Sequence, residues 1–113
     1  MAVRFEVYSH SELIGWSELE NRDPPMGVAF GRFLPAPAYS KVQSKVQASL
    51  GSKDRLSAQA PLQIEVRTPA GATLKEIATI ADASDQHPGD IELELLGVPD
   101  YATHFPEVGA GDA

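Results

Sequence analysis

The sequence predicts an α+β fold: a single domain, mainly antiparallel β-sheet with about six strands in hairpins, and one main amphipathic helix near residues 38–50. Three observations carry this expectation. Apolar and polar residues alternate in short runs such as Phe5–Tyr8 and Ile91–Leu95, the period of a strand with one wet face. Nine Gly and nine Pro punctuate the 113 residues, so most connections read as turns. Tyr39, Val42, Val46 and Leu50 recur at spacings of three, four and four, the stripe of a helix.

Taken in order, Val3, Phe5 and Val7 alternate with Arg4, Glu6 and Tyr8 in a first strand. The polar stretch Ser9–Glu12 turns the chain into a hairpin partner over 13–20, with Ile14 and Trp16 on one face and Gly15 and Ser17 on the other. Pro24 and Pro25 donate no ladder hydrogen bonds, so pairing is expected to stop at Asn21–Pro25 and the chain to turn. Met26–Leu34 reads as a short third strand, broken by Pro35 and Pro37 before the helix, which Gly51 would close as a glycine cap. Residues 52–60 read as a polar link. Leu62, Ile64 and Val66 then form a strand whose Gln63, Glu65 and Arg67 face water, and Thr68–Gly71 reads as a turn.

Residues 73–81 admit two readings. Thr73 and Glu76 match a helix capping box, but Thr73, Ile77, Thr79 and Ile80 favour β structure and follow a tight turn, so a strand is expected. Asp82–Asp90 is a loop by composition, and Ile91, Leu93 and Leu95 alternate with Glu92 and Glu94 in the last strand. A short helix carrying Tyr101 and Phe105 would open at Pro99–Asp100 and stop at Pro106. One globular domain is therefore expected over 1–108, with 109–113 a flexible C-terminal tail.

The formal charge of −7, from nine Lys and Arg against 16 Asp and Glu, disfavours attraction to nucleic acid, and the cations form no stripe. The absence of Cys removes disulfides, thiolate metal sites and cysteine nucleophiles. No stretch approaches the roughly 20 apolar residues of a membrane span, and the first residues turn charged at once, so a cytoplasmic protein without membrane association is expected.

Chemical signatures are sparse. His10, His87 and His104 stand at no metal-binding spacing, and Asp82, Asp85 and Asp90 follow no calcium-loop rhythm, so neither metal nor cofactor is expected. Gly27 and Gly31 lack the Lys-Ser/Thr pair of a phosphate loop, and no nucleophile elbow occurs, leaving no positive sign of catalysis. Strand alternation places Glu18 with Glu20, and Glu92 with Glu94, on common faces. Size, charge and missing motifs then suggest a non-enzymatic module of inhibitor or immunity type, its acidic strips receiving a basic protein. The alternative is a small-ligand site or unrecognised enzyme with a pocket around Trp16, Phe30, Arg32, Tyr39 and His104. A homo-oligomer packing Tyr39, Val42, Val46 and Leu50 across a two-fold axis is a third arrangement.

Overall fold

Alternation along the first strand sets the architecture. The computed structural model describes residues 4–99 and 101–105, with 102 and 103 by backbone alone. Strand β1 (Phe5–Ser9) buries Phe5, Val7 and Ser9 and turns Glu6 to solvent. A two-residue turn at His10 and Ser11, with φ of 50° and 66°, leads into β2 (Glu12–Ser17). Positive φ at both positions gives the turn the twist that a tight hairpin needs.

The β1–β2 register departs from simple alternation. Val7 pairs with Gly15 but Tyr8 pairs with Leu13, which leaves Ile14 as an extra, bulged residue. Ile14 therefore drops into the core at 2% exposure while Trp16 stays on the outer face, and the shared face expected for these two side chains does not form. Gly15 is required here: a Cβ would stand 2.5 Å from the Leu34 carbonyl oxygen and against the Phe33 ring.

Pairing also runs further than the prolines suggested. β3 (Asn21–Asp23) pairs with β4 (Val28–Pro35), and the turn between them is a 3₁₀ segment, Pro24–Met26, closed by Gly27 at φ 66°. The strands β5 (Ile64–Arg67), β6 (Thr73–Lys75), β7 (Ala78–Asp82) and β8 (Ile91–Leu95) follow. The segment 73–81 is thus extended, as expected, but divided in two. Together with β3 this makes eight strands among the described residues, where about six were expected.

The helical layer is longer than one helix. A 3₁₀ turn (Pro37–Lys41), α1 (Gln43–Ala48) and a second 3₁₀ turn (Ser49–Gly51) form one track. Gly51 lies within that last turn rather than closing it as a left-handed cap. Tyr39, Val42 and Val46 are buried in the chain's own core, whereas Leu50 is 36% exposed. The supposed link 52–60 contains α2 (Arg55–Gln59), whose first turn is held by the Asp54 carboxylate accepting the Ser57 N–H at 3.1 Å. α3 (Tyr101–His104) delivers Phe105 to the core against Phe5, with ring centres 5.4 Å apart. Val3, Asp100, Pro106 and the tail at 109–113 lie outside the described residues. Among the described residues no helix is long and apolar enough to cross a membrane.

Among the described residues all seven ladders are antiparallel, and the strand order is β6-β5-β1-β2-β4-β8-β7, with β3 also on β4. The first and last strands of that order, β6 and β7, are joined by Glu76 and Ile77 alone. So short a link spans about 11 Å at most between Lys75 and Ala78, so the sheet curls until its two ends meet. β6 and β7 act as one bent strand that leaves β5 and joins β8 at the corner, where Glu76 has φ 65°. β5 and β7 come close there without pairing. The buried Gln59 side chain closes part of that seam: its Nε2 donates to the Ile80 carbonyl at 2.7 Å and its Oε1 accepts the Ile80 N–H at 2.8 Å.

Candidate functional site: an acidic face on β4 and β8

Strand β8 builds the site by its alternation. Ile91, Leu93 and Leu95 are buried at 7%, 0% and 0% exposure, so Glu92 and Glu94 point outward, both half-buried. Glu92 lies between Arg32 of β4 and Ala81 of β7, and Glu94 between Phe30 and Thr79. Directly paired residues of an antiparallel ladder share a face, which puts these side chains on the outer surface. Among the described residues no Lys, Arg or His stands within ion-pair distance of Glu92 or Glu94. The Thr79 hydroxyl, cross-strand from Glu94, is buried with no hydrogen-bond partner.

A second segment adds charge through a gap in the sheet. β2 leaves β4 at Phe33 and β3 takes it up at Phe30, so Gly31 and Arg32 have no strand partner on that side. Residues 18–20 cross the gap in a loop made by Leu19, fully buried at φ 46°. The Glu20 carboxylate accepts the Arg32 N–H at 3.0 Å, doing the work of the missing strand. Gly31 leaves the room for it, since a Cβ there would strike the Glu20 carboxylate and stand 2.9 Å from the Glu20 backbone nitrogen.

The loop 83–90 supplies the third wall, folded on itself by the Ala83 N–H to Asp90, His87 N–H to Ala83 and Asp90 N–H to His87 carbonyl bonds. Glu20, Arg32, His87, Asp90 and Glu92 thereby line one cleft of about 450 Å³. Burial pushes the Glu92 carboxyl above its ordinary value, and the negative charges of Glu94, Asp90 and Glu20 push it further, with Arg55 of α2 offsetting part. Four carboxylates, Glu20, Asp90, Glu92 and Glu94, thus stand against one guanidinium, Arg32, in and beside the cleft.

The expected acidic residues are thus placed unequally. Glu92 and Glu94 share a strand face as alternation implies. Glu18 and Glu20 do not, because β2 ends at Ser17 and the left-handed Leu19 breaks the alternation; Glu18 is half-buried and does not line the cleft. Of the alternative pocket, Trp16, Phe30 and Arg32 lie on the outer face, with the Arg4 guanidinium 5.9 Å from the Trp16 ring centre. Tyr39 is on the other side, in the core, its hydroxyl donating to Asp82 at 2.6 Å, and His104 ends α3. The structure does not gather those five residues into a pocket.

Sequence reasoning missed Asp90 as a neighbour of Glu92, although Gly89 and Asp90 immediately precede the strand. It also misplaced Asp82, which is the last residue of β7 and fully buried rather than part of a solvated acidic loop. Among the described residues no group of three His, Asp or Glu side chains is arranged to hold a metal ion. Comparison with known proteins finds no matching family model, and no curated protein or solved structure matches the chain.

Proposed function

We propose that the chain is a non-enzymatic recognition module whose acidic face, centred on Glu92 and Glu94, receives a basic protein, as a small inhibitor or immunity factor does. The observation that carries this reading is geometric: Glu92 and Glu94 share one outer face with Glu20 and Asp90 beside Glu92 in the cleft, and among the described residues no cation stands within ion-pair distance of Glu92 or Glu94; burial first, and these neighbouring charges second, hold the Glu92 carboxyl above its ordinary value. Such an arrangement costs stability. A carboxyl whose folded value lies above its unfolded one is penalised once pH rises past the unfolded value, and the penalty is complete above the folded value. A partner's Lys or Arg would relieve it, and the same field would speed encounter at low salt.

Capture with the full chain as bait, at about 50 mM and about 300 mM salt, tests the reading, salt response being the mark of an electrostatic encounter. One basic protein is expected at stoichiometric yield in low salt, depleted in high salt and lost with the Glu92→Gln/Glu94→Gln double variant. Glu20 is left intact, because its carboxylate is part of the β4 ladder. Equal capture by the double variant, or no basic protein at either salt, refutes the proposal.

A further inference from the structure

A second concavity lies at the corner of the sheet, away from the acidic cleft and unrelated to the function proposed for it. Where the chain passes from β6 to β7, the ladder switches from β5 to β8, and β5 and β7 face each other unpaired. A groove of about 550 Å³ fills that interval. Its size falls in the range of small-molecule sites.

The chemistry of its walls is asymmetric. Leu56 and Ala60 of the α2 side, Ile64 of β5 and Ala78 of β7 offer an apolar surface. The most buried polar side chain of the lining, Gln59 at 2% exposure, has its amide engaged by Ile80 and by the Ser49 hydroxyl at 2.8 Å. The charged lining is Glu65, Lys75 and Glu76, two carboxylates against one ammonium. Lys75 holds Glu65 only loosely, at 3.7 Å with its side chain 65% exposed, and Glu76 has no ion pair among the described residues. Exposed pairs of this kind exchange partners at little cost. The rim is also held in an uncommon backbone state, with Gln63 and Glu76 both left-handed at φ 50° and 65° although neither is glycine. Strain of this sort is retained where surrounding structure fixes a particular shape.

We infer that this corner groove binds a small organic cation with an apolar body, an alkyl- or arylammonium, its chain on Leu56, Ile64 and Ala78 and its ammonium between Glu65 and Glu76. The carboxylates select the sign of the ligand charge and the apolar wall selects its body.

The test is a titration of the full chain with hexylammonium, followed by backbone amide NMR shifts, with hexanoate and 1-hexanol as matched probes. Hexylammonium is expected to move the amides of Leu56, Ile64, Glu65, Glu76 and Ala78, and to bind several-fold more tightly than either matched probe. Glu76→Gln should weaken it about two- to five-fold, the effect of one exposed charge. Ala60→Phe, at an exposed rim position, should abolish the shifts while the rest of the spectrum stays dispersed and unchanged. Equal binding of hexanoate, indifference to Glu76→Gln, or shifts scattered outside the groove overturns the inference.

Discussion

Replacing Gln59 by leucine is expected to lower the melting temperature by about 10–15 °C, which corresponds to about 3 kcal/mol for a domain of this size. Gln59 is 2% exposed, and its amide stands where a neighbouring strand would otherwise satisfy β7. Leucine matches its volume but leaves the Ile80 N–H and carbonyl buried without partners, each costing about 1–3 kcal/mol. The Ser49 hydroxyl is less affected, since it still donates to the Val46 carbonyl at 2.6 Å. Against a typical total stability of about 5–15 kcal/mol this is a large loss.

Gln59→Glu separates hydrogen bonding from packing. A protonated carboxyl can accept the Ile80 N–H and donate to its carbonyl, whereas the ionised form can only accept, so the folded state raises the carboxyl above its unfolded value near about 4.3. The sign follows: the variant is closest to wild type below that value and loses stability as pH rises through the raised one. The deficit of Gln59→Leu should stay nearly constant between pH 4 and pH 7. Thermal melts across that range check both, and parallel curves for the two variants would contradict the role given to the amide.

The second large effect is expected at Asp82. Its fully buried carboxylate accepts the Tyr39 hydroxyl at 2.6 Å, the Ser84 N–H at 2.8 Å and the Gln43 amide at 3.3 Å. Burial alone would push the carboxyl up and is the largest single influence, but the bonds from Ser84, Tyr39 and Gln43 together hold it below its ordinary value. Burial and this same partner push the Tyr39 phenol far up, so the pair keeps one charge and one proton at neutral pH. Asp82→Asn turns an amide donor toward groups that already donate, and should cost about 3 kcal/mol at pH 7.

The pH dependence distinguishes charge from shape. With the folded value depressed, the unfolded chain takes up the proton first as acid is added. The stabilisation from Asp82 is therefore present above about pH 4 to 5 and is lost as pH falls through the folded value. The melting temperatures of wild type and Asp82→Asn should be furthest apart at pH 7 and converge toward pH 3. A gap that stays constant would show that the Asp82 charge is not what stabilises the fold.

How much of this could be read from the residues alone depends on range. β1 and β8 are legible because each has one wet and one dry face, so Phe5 and Val7, or Leu93 and Leu95, declare themselves by period two. Glu92 and Glu94 follow from the same rule. The Ile14 bulge is not legible, since two runs of residues can pair in more than one register and the core chooses. β3 is hidden because its pairing depends on β4 while its composition, Asn-Arg-Asp before two prolines, signals only a turn. The break at Glu76–Ile77 is likewise invisible, because it exists only once β5 and β8 have claimed opposite ends of the same segment.

The candidate site shows the same division. Glu20 reaches the acidic cleft through a hydrogen bond to a residue 12 positions on, across a gap in a ladder no local pattern encodes. Tyr39 carries a polar tip that suggests a ligand, yet its ring is packed against Phe33 with centres 5.0 Å apart and its hydroxyl is used internally.

The fold concentrates negative charge over β8 and its neighbours, where Glu20, Asp90, Glu92 and Glu94 outnumber the cross-strand Arg32. An NMR titration of the full chain that follows the side-chain carboxyl of Glu92, with Glu94→Gln and a control variant at a distant acid, Glu12→Gln, reads that charge out. A Glu92 midpoint above the ordinary carboxyl value is expected, lowered by Glu94→Gln and unmoved by Glu12→Gln. A midpoint at the ordinary value, or one indifferent to Glu94, would contradict this concentration of charge.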